Sequence, residues 1–353
     1  TMLLISSYYF LYMIAFFAVF YVFIYSIMQR YSLKRTAGKV AGLGGMGILG
    51  VLIGGVALVP IADTFLESAR AGVLAAKGTS HLLSPYKGKT LGTIVARFFS
   101  NHMLGIDKDY TGYLNYYEGM ILAVSILTVF AVSYFIVKKS TRVKALVLTV
   151  FLVFLTIMPL TSRILVFTKH SYRWTFMICF VEALVIGCFL QDVFREKNRK
   201  TVLTGSILAI VICGGLLAWM YSFKNIKPDH KVTAGVIGFL AVYLILFAVG
   251  TSVKKMYRIF PAAVLLVLIC ELFVLDYPSL WHRESPTRNQ VATEYYNDGT
   301  KEAVAMLKEQ DDSVYRIEKS YTSASENDGM SQGYNGLSVY MSTNPASLVA
   351  YHK

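Results

Sequence analysis

The chain has 353 residues, of which 55% are hydrophobic and 16% charged, with a mean hydropathy of +0.53 and a net charge of +13. These values exclude an ordinary soluble chain of one or two domains and describe a polytopic membrane protein. The positive charge is not that of a nucleic-acid binder: the basic residues form short clusters between apolar runs, as topology signals do, rather than a groove or an aromatic-interleaved patch.

A bilayer core of roughly 30 Å asks for about 20 apolar residues per helix. Eight stretches meet or approach that length: residues 3–28, 41–62, 119–137, 145–160, 174–192, 202–221, 232–252 and 259–275. The fourth is the shortest and ends at Pro159, which breaks it before a continuation over 164–167. The chain enters its first apolar run directly after Thr1, with neither the basic segment nor the small-residue cleavage site of a signal peptide. It reads as a piece of a longer protein.

Lys and Arg are unequally shared between alternate loops. One set holds Arg30, Lys34, Arg35 and Lys39, then Lys138, Lys139, Arg142 and Lys144, then Arg195, Lys197, Arg199 and Lys200, then Lys254, Lys255 and Arg258; Glu196 is its one acid. By the positive-inside rule these loops are cytoplasmic. The other set then faces outward: a large loop over 63–118, a short one over 163–173, another over 222–231, and everything after Asp276. Tyr8, Tyr9 and Tyr12 are expected at the outer interface as an aromatic belt.

The second apolar run is rich in glycine, with Gly50 and Gly54 at the spacing that lets helices approach closely, so helix packing is its expected role. A phosphate-cradling loop is not, because no strand precedes it and no Lys-Ser or Lys-Thr follows. The four cysteines, Cys179, Cys188, Cys213 and Cys270, lie inside apolar runs and read as buried small hydrophobes. The histidines His81, His102 and His170 are too scattered for a metal pattern, and no metal or cofactor is expected from spacing. Divalent-metal dependence is left open.

After Asp276 the composition turns polar, with seven basic and ten acidic residues over 281–353 and turn signals at Asn297-Asp298-Gly299, Asn327-Asp328-Gly329 and Asn335-Gly336. A short helix is expected over 300–308 and strands near 314–317 and 337–340. The expected fold is therefore an all-α polytopic membrane domain of about eight transmembrane helices over 1–276. The start of a truncated external α+β or β-rich domain follows over 277–353.

Ionised groups inside a bilayer are costly and are functional candidates by default. Glu182 and Glu271 qualify, both a short way below the outer ends of their helices; they either serve a site, with Arg163 or Arg173 as partners, or lock helices together. Arg173, between Tyr172 and Trp174 at the head of the fifth run, suits a phosphate because its fork donates two parallel hydrogen bonds; interfacial snorkelling is the other reading. Ser68 and Arg70 follow the second run within reach of a lipid phosphate. Tyr116, Tyr117 and Glu118 lead into the third run and either contact sugar hydroxyls or cap a helix N-terminus.

Taken together, Ser7-Tyr8-Tyr9-Phe10-Leu11-Tyr12-Met13, Pro60 with Ser68-x-Arg70, Tyr116-Tyr117-Glu118-Gly119, Tyr172-Arg173-Trp174, Tyr315-Arg316-Ile317-Glu318 and Tyr334-Asn335-Gly336-Leu337-Ser338 resemble the YfhO-type bacterial membrane proteins. The resemblance covers most of the chain. It implies a C-type glycosyltransferase architecture in the bacterial cytoplasmic membrane, with the active site at the outer face. It also implies a sugar donor carried on a polyprenyl phosphate and an acceptor that is a cell-envelope polymer such as lipoteichoic acid. In that architecture the catalytic carboxylate lies in the first external loop, which here would precede Thr1, so the piece alone is expected to be inactive. Arg173, Arg70 and Arg163 are then the candidates for the donor phosphate, and Glu118, Tyr116 and Tyr117 for acceptor or sugar. The rival functions are a transporter or flippase of an envelope precursor using Glu182 and Glu271, against which no internal repeat is visible, and a non-catalytic envelope assembly protein.

Overall fold

A computed structural model describes residues 8–29, 31–68, 82–113, 125–166, 171–196, 198–253, 259–278, 286–292, 297–323 and 327–337. In chain order its helices of five residues or more are α1 (Tyr8–Met28), α2 (Leu33–Ile53), α3 (Gly55–Glu67), α4 (Gly88–Arg97), α5 (Leu127–Val137), α6 (Arg142–Ile157), α7 (Pro159–Val166), α8 (Phe176–Glu196), α9 (Arg199–Ser222), α10 (His230–Gly250), α11 (Phe260–Asp276), α12 (Thr300–Gln310) and α13 (Asp328–Gln332). The chain divides into two units, Thr1–Gly50 with Gly78–His282, and Val51–Lys77 with Arg283–Lys353.

Each of the eight expected apolar runs contains a helix. Four are long and apolar enough to cross a membrane, Leu33–Ile53, Arg173–Arg195, Arg199–Ser222 and His230–Gly250. A fifth span arises if Arg142–Ile157 and Pro159–Val166, bent by 75°, are counted as one, and Phe10–Ser26, Leu127–Val137 and Phe260–Leu275 are shorter apolar helices. Eight full spans are thus not reached among the described residues. The third expected run begins at 119, and only its part from Ser125 onward is described.

In the first unit α5 lies at the centre. Gly205 of α9 meets it so closely that a Cβ there would stand 2.8 Å from the Tyr134 Cα. Tyr134 contacts Phe189 of α8, and Phe130 contacts Tyr243 and Phe247 of α10. Lys138 pairs with Asp192 at 2.7 Å, so α5 and α8 run in the same direction. α10 and α11 run opposite to each other, with Tyr243 bonded to Glu271 and Phe247 packed on Phe260. α1 follows the direction of α8, since Phe10 meets Phe176 and Phe17 meets Phe180. Alternate connections therefore gather at two ends, matching the alternation of basic loops in the sequence. Lys138, Arg195 and Arg199 mark one end, and the 98–113 segment, the 223–229 turn and the last turn of α11 mark the other.

The outward surface of these helices is apolar: Ile207 and Val211 on α9, Ile237 and Ile245 on α10, and Leu266, Ile269 and Phe273 on α11 are exposed. That pattern is a lipid-facing belt, since a soluble bundle would put polar side chains there. It also corrects the expectation for the cysteines. Cys213 is buried, but Cys188 and Cys270 are exposed, because an apolar residue in a membrane helix can face lipid as readily as the core.

The glycine-rich run also differs from expectation. It is broken at Gly54, and a Cβ added at Gly42, Gly44, Gly45, Gly47 or Gly55 would meet nothing within 4 Å, so these five glycines make no close helix contact, whereas Gly54, one of the expected packing pair with Gly50, is buried. The close approaches occur at single glycines elsewhere: Gly205 against Tyr134, Gly92 against Phe223, and Gly250 against Phe260.

In the second unit Ser68 ends α3 with its hydroxyl on the Phe65 carbonyl at 2.6 Å. The expected helix over 300–308 forms as α12. No strand forms among the described residues, where an isolated parallel bridge joins Ile317 to Gly336; of the strand expected over 337–340, all but Leu337 lies outside the described residues. Instead, two of the Asn-Asp-Gly signals converge. Asp298 and Asp328 both bond Ser323, by side chain and by backbone N–H respectively, and Lys319 Nζ reaches Asp328 and Gln332 at 3.0 Å each.

Candidate functional site

At the end of the first unit opposite Lys138 and Asp192, polar side chains are buried among helix termini. Glu271 is 2% exposed. Its Oε2 accepts the Ser125 hydroxyl at 2.5 Å and the Tyr243 hydroxyl at 2.7 Å, and its Oε1 accepts the Ile126 N–H at 2.6 Å. Ser125 Oγ in turn accepts the Leu127 N–H at 2.9 Å. Two backbone donors at the head of α5, left without intrahelical partners by helix geometry, are thereby satisfied. One turn further along α11, the Leu275 carbonyl accepts the Ser100 hydroxyl at 2.8 Å, and Ser100 Oγ lies 2.9 Å from His102 Nδ1. The last two turns of α11 thus hold both the segment that leaves α4 and the segment that enters α5.

α4 lies across this end. Ten residues are too few to cross a bilayer, and its glycine at position 92 brings the backbone against Phe223 and Ile226 in the turn after α9. Ile94 belongs to one apolar cluster and Val95 to the other, so the helix joins them. Its last residue, Arg97, is 1% exposed, with Nη2 3.4 Å from the Tyr110 hydroxyl. A buried guanidinium is expensive and needs hydrogen-bonding partners around it.

The Tyr172-Arg173-Trp174 element is a rigid turn. Tyr172 and Trp174 are each 1% exposed. The Tyr172 hydroxyl donates to the Thr156 carbonyl at 2.6 Å, and the Trp174 indole N–H donates to the Ser171 carbonyl at 3.1 Å. The Thr156 carbonyl is freed by the bend between α6 and α7, and the neighbouring Ile157 carbonyl takes the Tyr86 N–H at 3.0 Å, so the broken helix is closed by its surroundings. Between its two buried neighbours Arg173 is exposed, while Arg163 on α7 is partly buried. Tyr12 reaches the same region, donating to the Ile164 carbonyl at 3.1 Å.

Depths follow from the common direction of α5 and α8. Counted from the Lys138–Asp192 pair at 1.5 Å per residue, Leu127 and Glu182 both lie roughly 15–17 Å away and Arg173 roughly 28 Å. Glu182, itself buried, therefore shares a level with the Glu271 network, and Arg173 stands about 12 Å nearer the end.

Arg70, Tyr116, Tyr117 and Glu118 lie outside the described residues, as do His81 and His170. Ser100, Ser125 and Tyr243 were not singled out by sequence as site residues, and His102 drew notice only as one of three scattered histidines. Ser125 and Tyr243 sit inside apolar runs where a hydroxyl carries no pattern. Arg97 did carry a signal, since it interrupts Ile94-Val95-Ala96 and Phe98-Phe99. Among the described residues no three His, Cys, Asp or Glu side chains gather to hold a metal ion.

Compared with known families, residues 1–352 match the one described as bacterial membrane protein YfhO. No curated protein and no solved structure matches the chain. With the match spanning all but the last residue and several apolar helices in place, the chain belongs to the YfhO family of bacterial membrane proteins.

Proposed function

We propose that the chain is the membrane part of a glycosyltransferase that moves a sugar from a polyprenyl phosphate to a cell-envelope polymer such as lipoteichoic acid. The end bearing Arg173 and Glu271 is then the outer face of the cytoplasmic membrane, which agrees with the excess of Lys and Arg at the opposite end. The observation that carries this reading is Arg173: an exposed guanidinium on a turn fixed by two buried aromatic neighbours, roughly 28 Å along α8 from the Lys138–Asp192 pair. A preorganised cation is what stabilises a departing phosphate.

The acceptor hydroxyl attacks the anomeric carbon, the bond from that carbon to the phosphate oxygen breaks, and the polyprenyl phosphate leaves with the bonding electrons. A carboxylate acting as general base takes the acceptor proton. Arg173 and Arg163 hold the phosphate, and Glu118, Tyr116 and Tyr117 contact acceptor or sugar. In the full-length protein, given a polyprenyl-phosphate sugar, Arg173→Ala should lower transfer at least about 100-fold with insertion intact, as removal of one oxyanion donor does. Undiminished transfer removes Arg173 from the site.

The 75° break between α6 and α7 favours a second reading, a transporter or flippase of a lipid-linked precursor, because broken helices mark transport sites. Against it, the Thr156 and Ile157 carbonyls at the break already accept protein donors rather than pointing into an open ion site. Substrate flux across proteoliposomes without sugar transfer selects the transporter.

A further inference from the structure

The turn between α1 and α2 lies at the end of the bundle away from Glu271, because α1 runs alongside α8 in the same direction. It carries Arg30, Lys34, Arg35 and Lys39, and the first acid of the chain comes only at Asp63. Arg30 is outside the described residues; Lys34, Arg35 and Lys39 are exposed. Two of these cations converge on one pair of rings. The Arg35 guanidinium carbon stands 4.1 Å from the Tyr31 ring centroid, and Lys39 Nζ stands 5.3 Å from Tyr31 and 5.9 Å from Tyr25. Tyr25 and Tyr31 meet edge to face at 6.1 Å, so the rings form one platform.

Cation–π contact orients these groups but does not neutralise them. Arg35 and Lys39 are four residues apart on one helix, where like charges repel. An anion between them removes that repulsion. The backbone does not supply the site, since Ser32 already caps α2, with its Oγ on the Arg35 N–H at 3.3 Å and its carbonyl on the Thr36 N–H at 3.0 Å.

We propose that Arg35 and Lys39, set on the Tyr25–Tyr31 platform, together with the exposed Lys34, bind the phosphate of an anionic phospholipid in the leaflet at this end. The position suits a headgroup: α1 has just completed 21 apolar residues, so the turn sits where the hydrocarbon ends. Beyond the cluster, Gly38, Gly42 and Gly45 continue from Lys34 along one face of α2, with nothing within 4 Å of a Cβ at any of them, so that face is open to an acyl chain below the headgroup. The site is independent of the sugar-transfer reading.

Native mass spectrometry of the full-length protein in detergent, titrated with short-chain phosphatidylglycerol or phosphatidylcholine, tests this. The wild type is expected to bind phosphatidylglycerol at least about tenfold more tightly, and replacing Lys34, Arg35 and Lys39 together by Gln should remove about fivefold per cation. Because that change also alters a topology signal, the second variant is Tyr25→Leu with Tyr31→Leu, which keeps every charge; it should weaken phosphatidylglycerol binding at least about threefold, as expected when two cations lose their three cation–π contacts. Equal binding of the two lipids, or an unchanged affinity in the tyrosine variant, overturns the proposal. Full displacement of the lipid by millimolar inorganic phosphate would assign the cluster to a free anion and overturn the lipid as its ligand.

Discussion

Ser125 donates its hydroxyl to Glu271 across 2.5 Å, joining segments 146 residues apart in a place from which solvent is excluded. The same carboxyl group takes the Ile126 N–H and the Tyr243 hydroxyl, so α5, α10 and α11 meet at one side chain. An isolated acid in a bilayer is a liability. Here three donors surround it.

Glu271→Ala should therefore destabilise the helical unit by about 3 kcal/mol or more, because three buried donors lose their acceptor at once. Glu271→Gln keeps an acceptor oxygen and should cost about 1 kcal/mol. Thermal unfolding of the full chain in detergent ranks the two. If the alanine variant unfolds with the wild type, the network contributes nothing to stability.

Glycines offer a sharp contrast. Gly205→Ala drives a methyl to 2.8 Å from the backbone of Tyr134, which cannot move without shifting α5, and should cost about 1–3 kcal/mol. Gly44→Ala meets open space and should be neutral or stabilising by up to about 1 kcal/mol through helix propensity. Reversed ranking in the same unfolding assay would contradict the packing of α9 on α5.

That contrast shows what sequence carries and what it does not. The eight apolar runs, the alternation of basic loops and the break at Pro159 are one-dimensional signals, and the helices, their two-ended arrangement and the bend between α6 and α7 follow them. Glycine density in α2 pointed to packing, yet Gly42, Gly44, Gly45 and Gly47 meet nothing while Gly205, Gly92 and Gly250 stand alone in sequence and make close approaches, because approach depends on which faces meet and not on local frequency. Glu271 was visible as a charge in an apolar run. Its partners Ser125 and Tyr243 were not, since a hydroxyl within such a run has no periodicity to mark it. The Tyr172-Arg173-Trp174 triplet was read as a site, and the structure adds that its aromatic residues are structural while the Arg is exposed.

Tyr172 ties that turn to the broken helix. Tyr172→Phe removes the donor to the Thr156 carbonyl and leaves it unsatisfied in a buried place, at a cost of about 1–3 kcal/mol. Under the proposed function the loosened turn no longer fixes Arg173, so transfer should fall even where the variant remains folded. Full activity at a temperature well below unfolding would separate Tyr172 from the positioning of Arg173.

The second unit supplies a pH prediction. The Ser323 hydroxyl, then Thr300, donate to Asp298, and Lys319 adds its charge, which together hold the Asp298 carboxyl at about 2, below its ordinary value of 3.8. A group whose pKa is lower in the folded state contributes stability that is present above 3.8 and is lost as the pH falls through about 2. Hydrogen exchange over 297–332 in the full chain should therefore be constant with respect to this group from neutral pH down to about 4, after correction for the intrinsic rate, and accelerate between about 4 and 2. Asp298→Asn should be less protected at pH 7 and lose that acid-dependent component, while Lys319 keeps its bond to Asp328. Identical acid profiles for the variant and the wild type would show that Asp298 does not hold the convergence of the two Asn-Asp-Gly turns.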